Sequence, residues 1–276
     1  AAHFLENPDE THCCNYLLAT DMEMNTVPGY KSASWASGYG DYVMKPDLST
    51  LRRMPWAPGT AFCMVDLYDH HTHELVPHAP RSVLRRQIAR AEAMGYTPMM
   101  ATELEFFLFS PGYKELFDNG YQGLVPTARY NVDYALTGTS ADEPVMRALR
   151  NGLYAAGIPV ESSKGEAEAG QHEINAKYSD ALDTADMHVL IKAATKDIAQ
   201  AHGQSATFMA KYRHGKAGSS SHVHQSLFKD GRNAFHDTGS GRGMSEVMQH
   251  YLAGQLAHAQ ALGLADADAE RNKQVT

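Results

Sequence analysis

The stretch Ala101–Phe109, ATELEFFLF, constrains the chain more than any other. It is short, apolar and rich in β-formers, so the pattern predicts a buried strand. Yet it carries Glu103 and Glu105. Side chains alternate along a strand, so residues two apart share a face and both carboxylates point the same way. Leu104, Phe106 and Leu108 then point into a core. Two anions side by side on a buried strand are costly unless a cation compensates them. The simplest reading is a strand whose glutamates reach solvent or basic partners; the alternative is a site.

A chain of 276 residues can hold one large domain or two modest ones. Its 43% hydrophobic and 20% charged residues, with a mean hydropathy of −0.41, are ordinary for a soluble globular protein. No run approaches the roughly 18 apolar residues of a membrane span. The N-terminus shows no basic-then-apolar signal pattern, and it begins without Met, as though a longer chain had been cut. A net charge of −8 argues against a nucleic-acid surface. Three cysteines, Cys13, Cys14 and Cys63, lack zinc-type spacing and fit a reducing compartment, so a cytoplasmic location is expected.

Read in order, residues 15–24 and 61–68 suggest strands around a polar loop, Thr26–Asp41, of a length that usually signals function or disorder. A polar stretch with His70, His71, His73 and His78 follows, and a boundary is placed there: a small, mostly β domain over 1–78 and a larger domain over 79–276. Pro80 opens a helix that Gly95 closes. After the 97–109 strand, Asp142 is placed as the cap of a helix with Val145, Met146, Leu149 and Leu153 inward. Strands are expected from Ile158 and over 171–178, 207–210 and 222–228. A long helix from Ser179 to about His202 turns Leu182, Ala185, Val189 and Ala193 inward, and a last helix covers about 245–262. Strands and helices interleave without a βαβ rhythm, which predicts an α+β fold.

Three clusters carry chemistry. Glu103 and Glu105 share a strand face; Glu166 and Glu173 flank the small-residue turn in EAEAGQHE; His222 and His224 share a face of a later strand. Each alone is weak, since an H-x-H pair is more often an exposed strand face and a Glu-rich turn is usually solvated. Together, four glutamates and one or two histidines suggest a common basin. Carboxylate oxygens suit hard divalent ions, Mg²⁺ or Mn²⁺, and an imidazole tilts the set towards Mn²⁺. Pairs of such ions serve phosphoryl transfer.

TELEFF, EAEAGQHEIN and FMAKYRHGKAGSSSHVHQSLF, in this order, resemble the catalytic domain of the glutamine synthetase superfamily over about residues 15–260. The resemblance implies an N-terminal β-grasp unit and a catalytic α/β domain whose curved antiparallel sheet surrounds a two-metal funnel. It implies a ligase: ATP phosphorylates the γ-carboxylate of glutamate, and ammonia or an amine attacks the acyl phosphate. By position, Glu105, Glu166 and Glu173 resemble the ligands of one Mg²⁺ or Mn²⁺ ion, and Glu103 and His222 two ligands of the other. Glu161, Tyr178, His224 and Ser226 match nucleotide contacts. Gly218 matches the backbone that meets glutamate, and Tyr134 falls near a tyrosine of the amine site. Glu105, His222 and Tyr134 are thus the catalytic candidates. The family forms stacked hexameric rings, which makes a homo-oligomer the expectation and the Thr26–Asp41 loop an inter-subunit contact.

The sequence also departs from the family. Lys211-Tyr212 replaces a K-P pair, AGSSSH stands where N-G-S-G-x-H is usual, and Tyr30-Lys31-Ser32-Ala33-Ser34 replaces a D-G-S-S segment whose aspartate helps bind ammonium. Asp41 is the nearest remaining acid. The loss favours an alkylamine, ethanolamine or polyamine over ammonia. Family members run past Thr276, where the second ion's third carboxylate and phosphate-clamping arginines are expected, so this chain by itself is expected to have little ligase activity. Three other readings remain open: a non-catalytic relative, a His₂-carboxylate oxygenase built on His222-Val223-His224, and another carboxylate-activating enzyme on the same fold.

Overall fold

A computed structural model describes residues 6–7, 11–21, 23–35 and 38–265. The chain divides into two compact units, one of residues 1–53 and 61–90, the other of 54–60 and 91–276. In the first, strands β1 (His12–Cys14), β2 (Asp41–Pro46) and β5 (Val65–Asp69) form an antiparallel sheet in the order β1-β2-β5, beside a short ribbon of β3 (Arg52–Arg53) and β4 (Ala61–Phe62). Tyr42, Val76 and Ala79 form its buried centre. Helix α1 (Pro80–Ala93) starts in this unit. Its Arg81 and Arg85 both grip Asp47 and Asp66, at 2.6 to 3.0 Å.

The second unit is organised around β6 (Thr97–Phe109), the predicted buried strand. Antiparallel partners run along both its edges: β8 (Gln171–Ala176) and β9 (Ser179–Asp180) on one, β10 (Ser205–Thr207) and β11 (Val223–Lys229) on the other. With β7 (Val160–Gly165) outside β8 and β12 (Arg232–Asn233) outside β11, they make a seven-stranded sheet. A strand paired on both edges satisfies its own backbone, which permits deep burial. Leu104, Phe106, Phe107, Leu108 and Phe109 are at most 2% exposed.

Three helices follow the sheet strands. Helix α2 (Tyr113–Asp118) is short; α3 (Glu143–Ala155) buries Val145, Met146, Leu149 and Leu153, the predicted stripe. Helix α4 (Ala181–Ala201) is capped by Asp180, whose carboxylate accepts from the Leu182 and Asp183 amides. Two further helices, α5 (Glu246–Ala257) and α6 (Ala259–Ala265), end the described chain. The architecture is the expected α+β one, with a curled antiparallel sheet.

Several local expectations are corrected. Among the described residues of 15–24 there is no strand: Asn15–Leu18 is a 3₁₀ turn, and the Asp21 carboxylate binds the Glu23 and Asn25 amides, turning the chain. The 61–68 strand is broken at Cys63-Met64. Asp41–Pro46 is a strand where the sequence reading placed no element, beginning at the last residue of the polar loop. Val189 and Ala193 of α4 are exposed; the buried stripe runs through Thr184, Met187, Ile191, Ala194 and Ile198, because α4 lies on β6 through a Thr184–Met100 carbonyl hydrogen bond of 2.9 Å. The strand expected over 207–210 starts earlier, at Ser205, and the last helix breaks at His258. Asp142 stands at the start of α3, but its carboxylate binds Thr127 and the buried His172 instead of the helix amides.

In the first unit, hydrogen bonds from Ser49 and the Arg81 charge outweigh burial and push Asp47 down to about 2. A depressed carboxyl stabilises the fold above its unfolded value and loses that contribution as pH falls towards the folded one. Asp47→Asn should cost about 2 kcal/mol at neutral pH, and the gap to wild type should close between about pH 4 and pH 2. Thermal melts across pH check this; a gap independent of pH contradicts it.

Candidate functional site

The β6–β8 register sets Glu105 opposite Glu173, and the β7–β8 register sets Lys164 on the other side of Glu173. The three strands therefore carry anion, anion and cation in a row. Glu166 joins them from the turn after β7, where its amide bonds the Gln171 carbonyl at 2.9 Å. Glu105, Glu166 and Glu173 each offer an oxygen within 4.8 Å of the others. These are the three residues grouped on one ion in the sequence reading. Carboxylate oxygens this close, with Glu105 and Glu173 buried, demand a positive charge.

The turn is shaped by close packing. A Cβ at Gly165 would lie 2.5 Å from the Val132 carbonyl oxygen. Gly170 has φ +73°, and a Cβ there would lie 2.8 Å from the Leu108 carbonyl. Only glycine fits both demands at Gly170.

Lys164 meets the carboxylates. Its ammonium contacts Glu166 and lies 3.8 Å from Glu173 and 3.7 Å from Asp133. Burial works against the charge on Lys164, but the Glu166 hydrogen bond and the Glu173 charge prevail, so its pKa lies above the ordinary value. Burial likewise opposes ionisation of Glu166, and Lys164 overrides it, holding that carboxyl low. Glu173 is held high by burial, with the Glu166 charge adding to it. Tyr134, with φ +52°, is 81% exposed, and its ring faces the Lys164 ammonium at 4.7 Å.

Behind the trio, Glu105 is tied to the loop before β11. The Ser220 amide donates to it at 2.9 Å, and the Ser220 hydroxyl makes a short bond to its other oxygen. The buried Gln171 amide donates to Glu105 at 3.1 Å and to the Gly218 carbonyl at 2.9 Å. Glu168 on the turn reaches Lys216 of the same loop at 3.2 Å.

Glu103 lies outside the trio. It pairs with His224 at 2.7 Å, while His222 approaches the Ser220 hydroxyl at 3.2 Å. Glu103 and His222 are therefore neighbours of one loop and strand pair, not members of the three-carboxylate group. The structure gathers Glu103, Glu161, Tyr178, His224 and Ser226 on one open cavity of ≈ 470 Å³, with Met99 and Phe228. The Tyr178 and Phe228 rings stand 6.4 Å apart there. The Ser226 hydroxyl is buried with no hydrogen-bond partner. In the first unit, Lys31, Ser32, Asp41 and His78 line a separate cavity of ≈ 400 Å³.

Sequence reasoning missed Lys164, Asp133, Ser220 and the bridging role of Gln171. Side chains two apart share a strand face, so the expected 171–178 strand sets Gln171 on the Glu173 face. Nothing local marked Lys164, whose meaning comes from a cross-strand register.

The catalytic-domain model of glutamine synthetase matches residues 77–267. A γ-glutamylethanolamide synthetase of Streptomyces coelicolor is 49% identical over 247 residues, 89% of this chain and 52% of its own. A glutamate–isopropylamine ligase of a Pseudomonas species is 36% identical over 265 residues, 95% of this chain and 58% of its own. A solved GmaS/ADP complex superposes with a TM-score of 0.78 at 26% identity, over 95% of this chain and 56% of that one. The chain thus spans about half the length of the curated relatives it matches.

Gln171→Glu replaces the bridging donor with a fourth carboxylate beside Glu105. Burying that charge should cost about 3–5 kcal/mol at neutral pH. It should also speed amide exchange at residues 217–220. Thermal melts and hydrogen exchange read both; unchanged exchange in this loop contradicts the bridging role.

Proposed function

The chain belongs to the glutamine synthetase family, and on that footing we propose that it serves a γ-glutamyl amide ligase that joins glutamate to an amine, driven by ATP. The observation that carries the reading is the meeting of Glu105, Glu166 and Glu173 within 4.8 Å, beside a cavity that holds Glu161, Tyr178, His224 and Ser226. The donor set fits a hard divalent ion, and the lysine drawn into it marks the electrostatic need for one. Glu105, Glu166 and Glu173 would hold one Mg²⁺ or Mn²⁺, and Glu103 and His222 would contribute to a second. Bound ions would offset the charge of the transferring phosphoryl group.

The protein's own residues do the rest. The aromatic pair Tyr178 and Phe228 offers a face for a base in this cavity, and a structural relative solved as an ADP complex supports a nucleotide among the ligands. Gly218, tethered through Gln171 to Glu105, sets substrate-facing backbone at a fixed distance from the carboxylates. Tyr134 and Glu166 flank the entry for the amine. An amine arrives as an ammonium and must lose a proton before attack. An acyl phosphate hydrolyses readily, so water must be kept out while the amine enters.

The amine is more than ammonia. The relatives named for ethanolamide and isopropylamine products support this, as does the loss of the acidic D-G-S-S segment at Tyr30–Ser34. A cytoplasmic homo-oligomeric ring, completed by the Thr26–Asp41 loop of a neighbour, belongs to the same reading. No helix among the described residues is long and apolar enough to cross a membrane.

The full-length protein with glutamate, ATP and a panel of amines tests the proposal. Ethanolamine or a small alkylamine should give a kcat/KM at least about tenfold above that of ammonium, since a fitted apolar or hydroxylated substituent is worth that much. Best turnover with ammonium overturns the amine assignment; no glutamate-dependent ADP release with any amine overturns the ligase. Glu173→Gln should lower kcat about a hundredfold or more if the trio holds a catalytic ion.

A further inference from the structure

Lys164 occupies a position with two halves. On one side its ammonium contacts Glu166 and lies 3.8 Å from Glu173. On the other it lies 3.7 Å from Asp133 and 4.7 Å from the centre of the Tyr134 ring. We propose that Lys164 is a built-in counter-cation: its ammonium holds the carboxylate trio in the metal-free protein, and an arriving divalent ion displaces it towards Asp133 and Tyr134. This rests on reading the trio as a cation site.

The register fixes Lys164 opposite Glu173, and Glu173 opposite Glu105, so the lysine stem cannot avoid the cluster. Without a cation, three carboxylates with oxygens within 4.8 Å would repel one another, with two of them buried. One ammonium has three donors and a single charge, so it relieves that repulsion only in part. A divalent ion binds three carboxylates more fully, and like charges a few ångströms apart exclude joint occupancy. The four-carbon stem allows the ammonium to move without the backbone. Asp133, with a side chain 34% exposed, and the face of Tyr134 give it a carboxylate and a π surface to settle on. The exchange costs the incoming ion part of its binding energy, so the lysine weakens metal affinity while keeping the site preformed.

Mn²⁺ titration of chelator-stripped full-length protein, read by electron paramagnetic resonance, tests this without any turnover. Lys164→Met keeps the stem and removes the charge. It should tighten Mn²⁺ binding about tenfold, which is about 1.4 kcal/mol. Lys164→Arg should stay within about threefold of wild type because the charge remains. The metal-free Lys164→Met protein should melt lower than wild type, and Mn²⁺ should raise its melting temperature by more. Equal or weaker Mn²⁺ binding by folded Lys164→Met overturns the proposal alone. No saturable Mn²⁺ binding by wild type or variant overturns the cation-site reading beneath it. A readout on wild type does not depend on variant folding: Mn²⁺ should increase acylation of Lys164 by acetic anhydride, followed by mass spectrometry. Unchanged or reduced labelling contradicts displacement.

Discussion

Repulsion between Glu105 and Glu173, adjacent across two central strands, is the constraint that the second unit is built to manage. Adjacent strands place directly opposed side chains close together, and like charges there destabilise a sheet. This chain answers the repulsion three times. Lys164 stands on the next strand, Gln171 and Ser220 donate hydrogen bonds to Glu105, and Asn175 donates to Glu173 at 2.7 Å. Each answer also fixes a piece of backbone, so compensating the charge and shaping the site are one process.

That arrangement needs a rigid base. Phe106, Phe107, Leu108 and Phe109, the four residues directly after Glu105, are buried on both faces of the same strand. Leu149 and Leu153 of α3, and Ile174 of β8, are equally buried. A core packed to this density resists small shifts, so the carboxylates cannot drift apart to relax. The pair of His172 and Asp142, both at most 2% exposed, anchors the strand between Gln171 and Glu173 to the start of α3. The Thr127 hydroxyl adds a second hydrogen bond to the same Asp142 oxygen, which helps to offset the cost of burying that pair. Polar groups on one face and a dry core on the other thus hold β6 and β8 in a single register.

Much of this was legible in the sequence because it is local. The period of two in ATELEFFLF placed both glutamates on one face, and helical spacing placed the α3 stripe correctly. The set of Glu105, Glu166 and Glu173 came from a resemblance that no periodicity could supply. What failed had physical causes. The α4 stripe slipped because alanine-rich helices present several plausible faces, and packing on β6 chose among them. Asp142 looked like a cap, but tertiary contact with His172 claimed its carboxylate. The turn at Asp21 defeated the apolar run before it. Lys164 was invisible because its role arises only when three strands align.

Diffraction from crystals of the full-length protein grown with Mn²⁺, collected near the manganese edge, tests the central claim most directly. The account predicts an anomalous peak coordinated by oxygens of Glu105, Glu166 and Glu173 at about 2.1–2.3 Å, in the range of hard-ion carboxylate contacts. Manganese bound elsewhere, with the trio still paired to Lys164 at saturating metal, would contradict it.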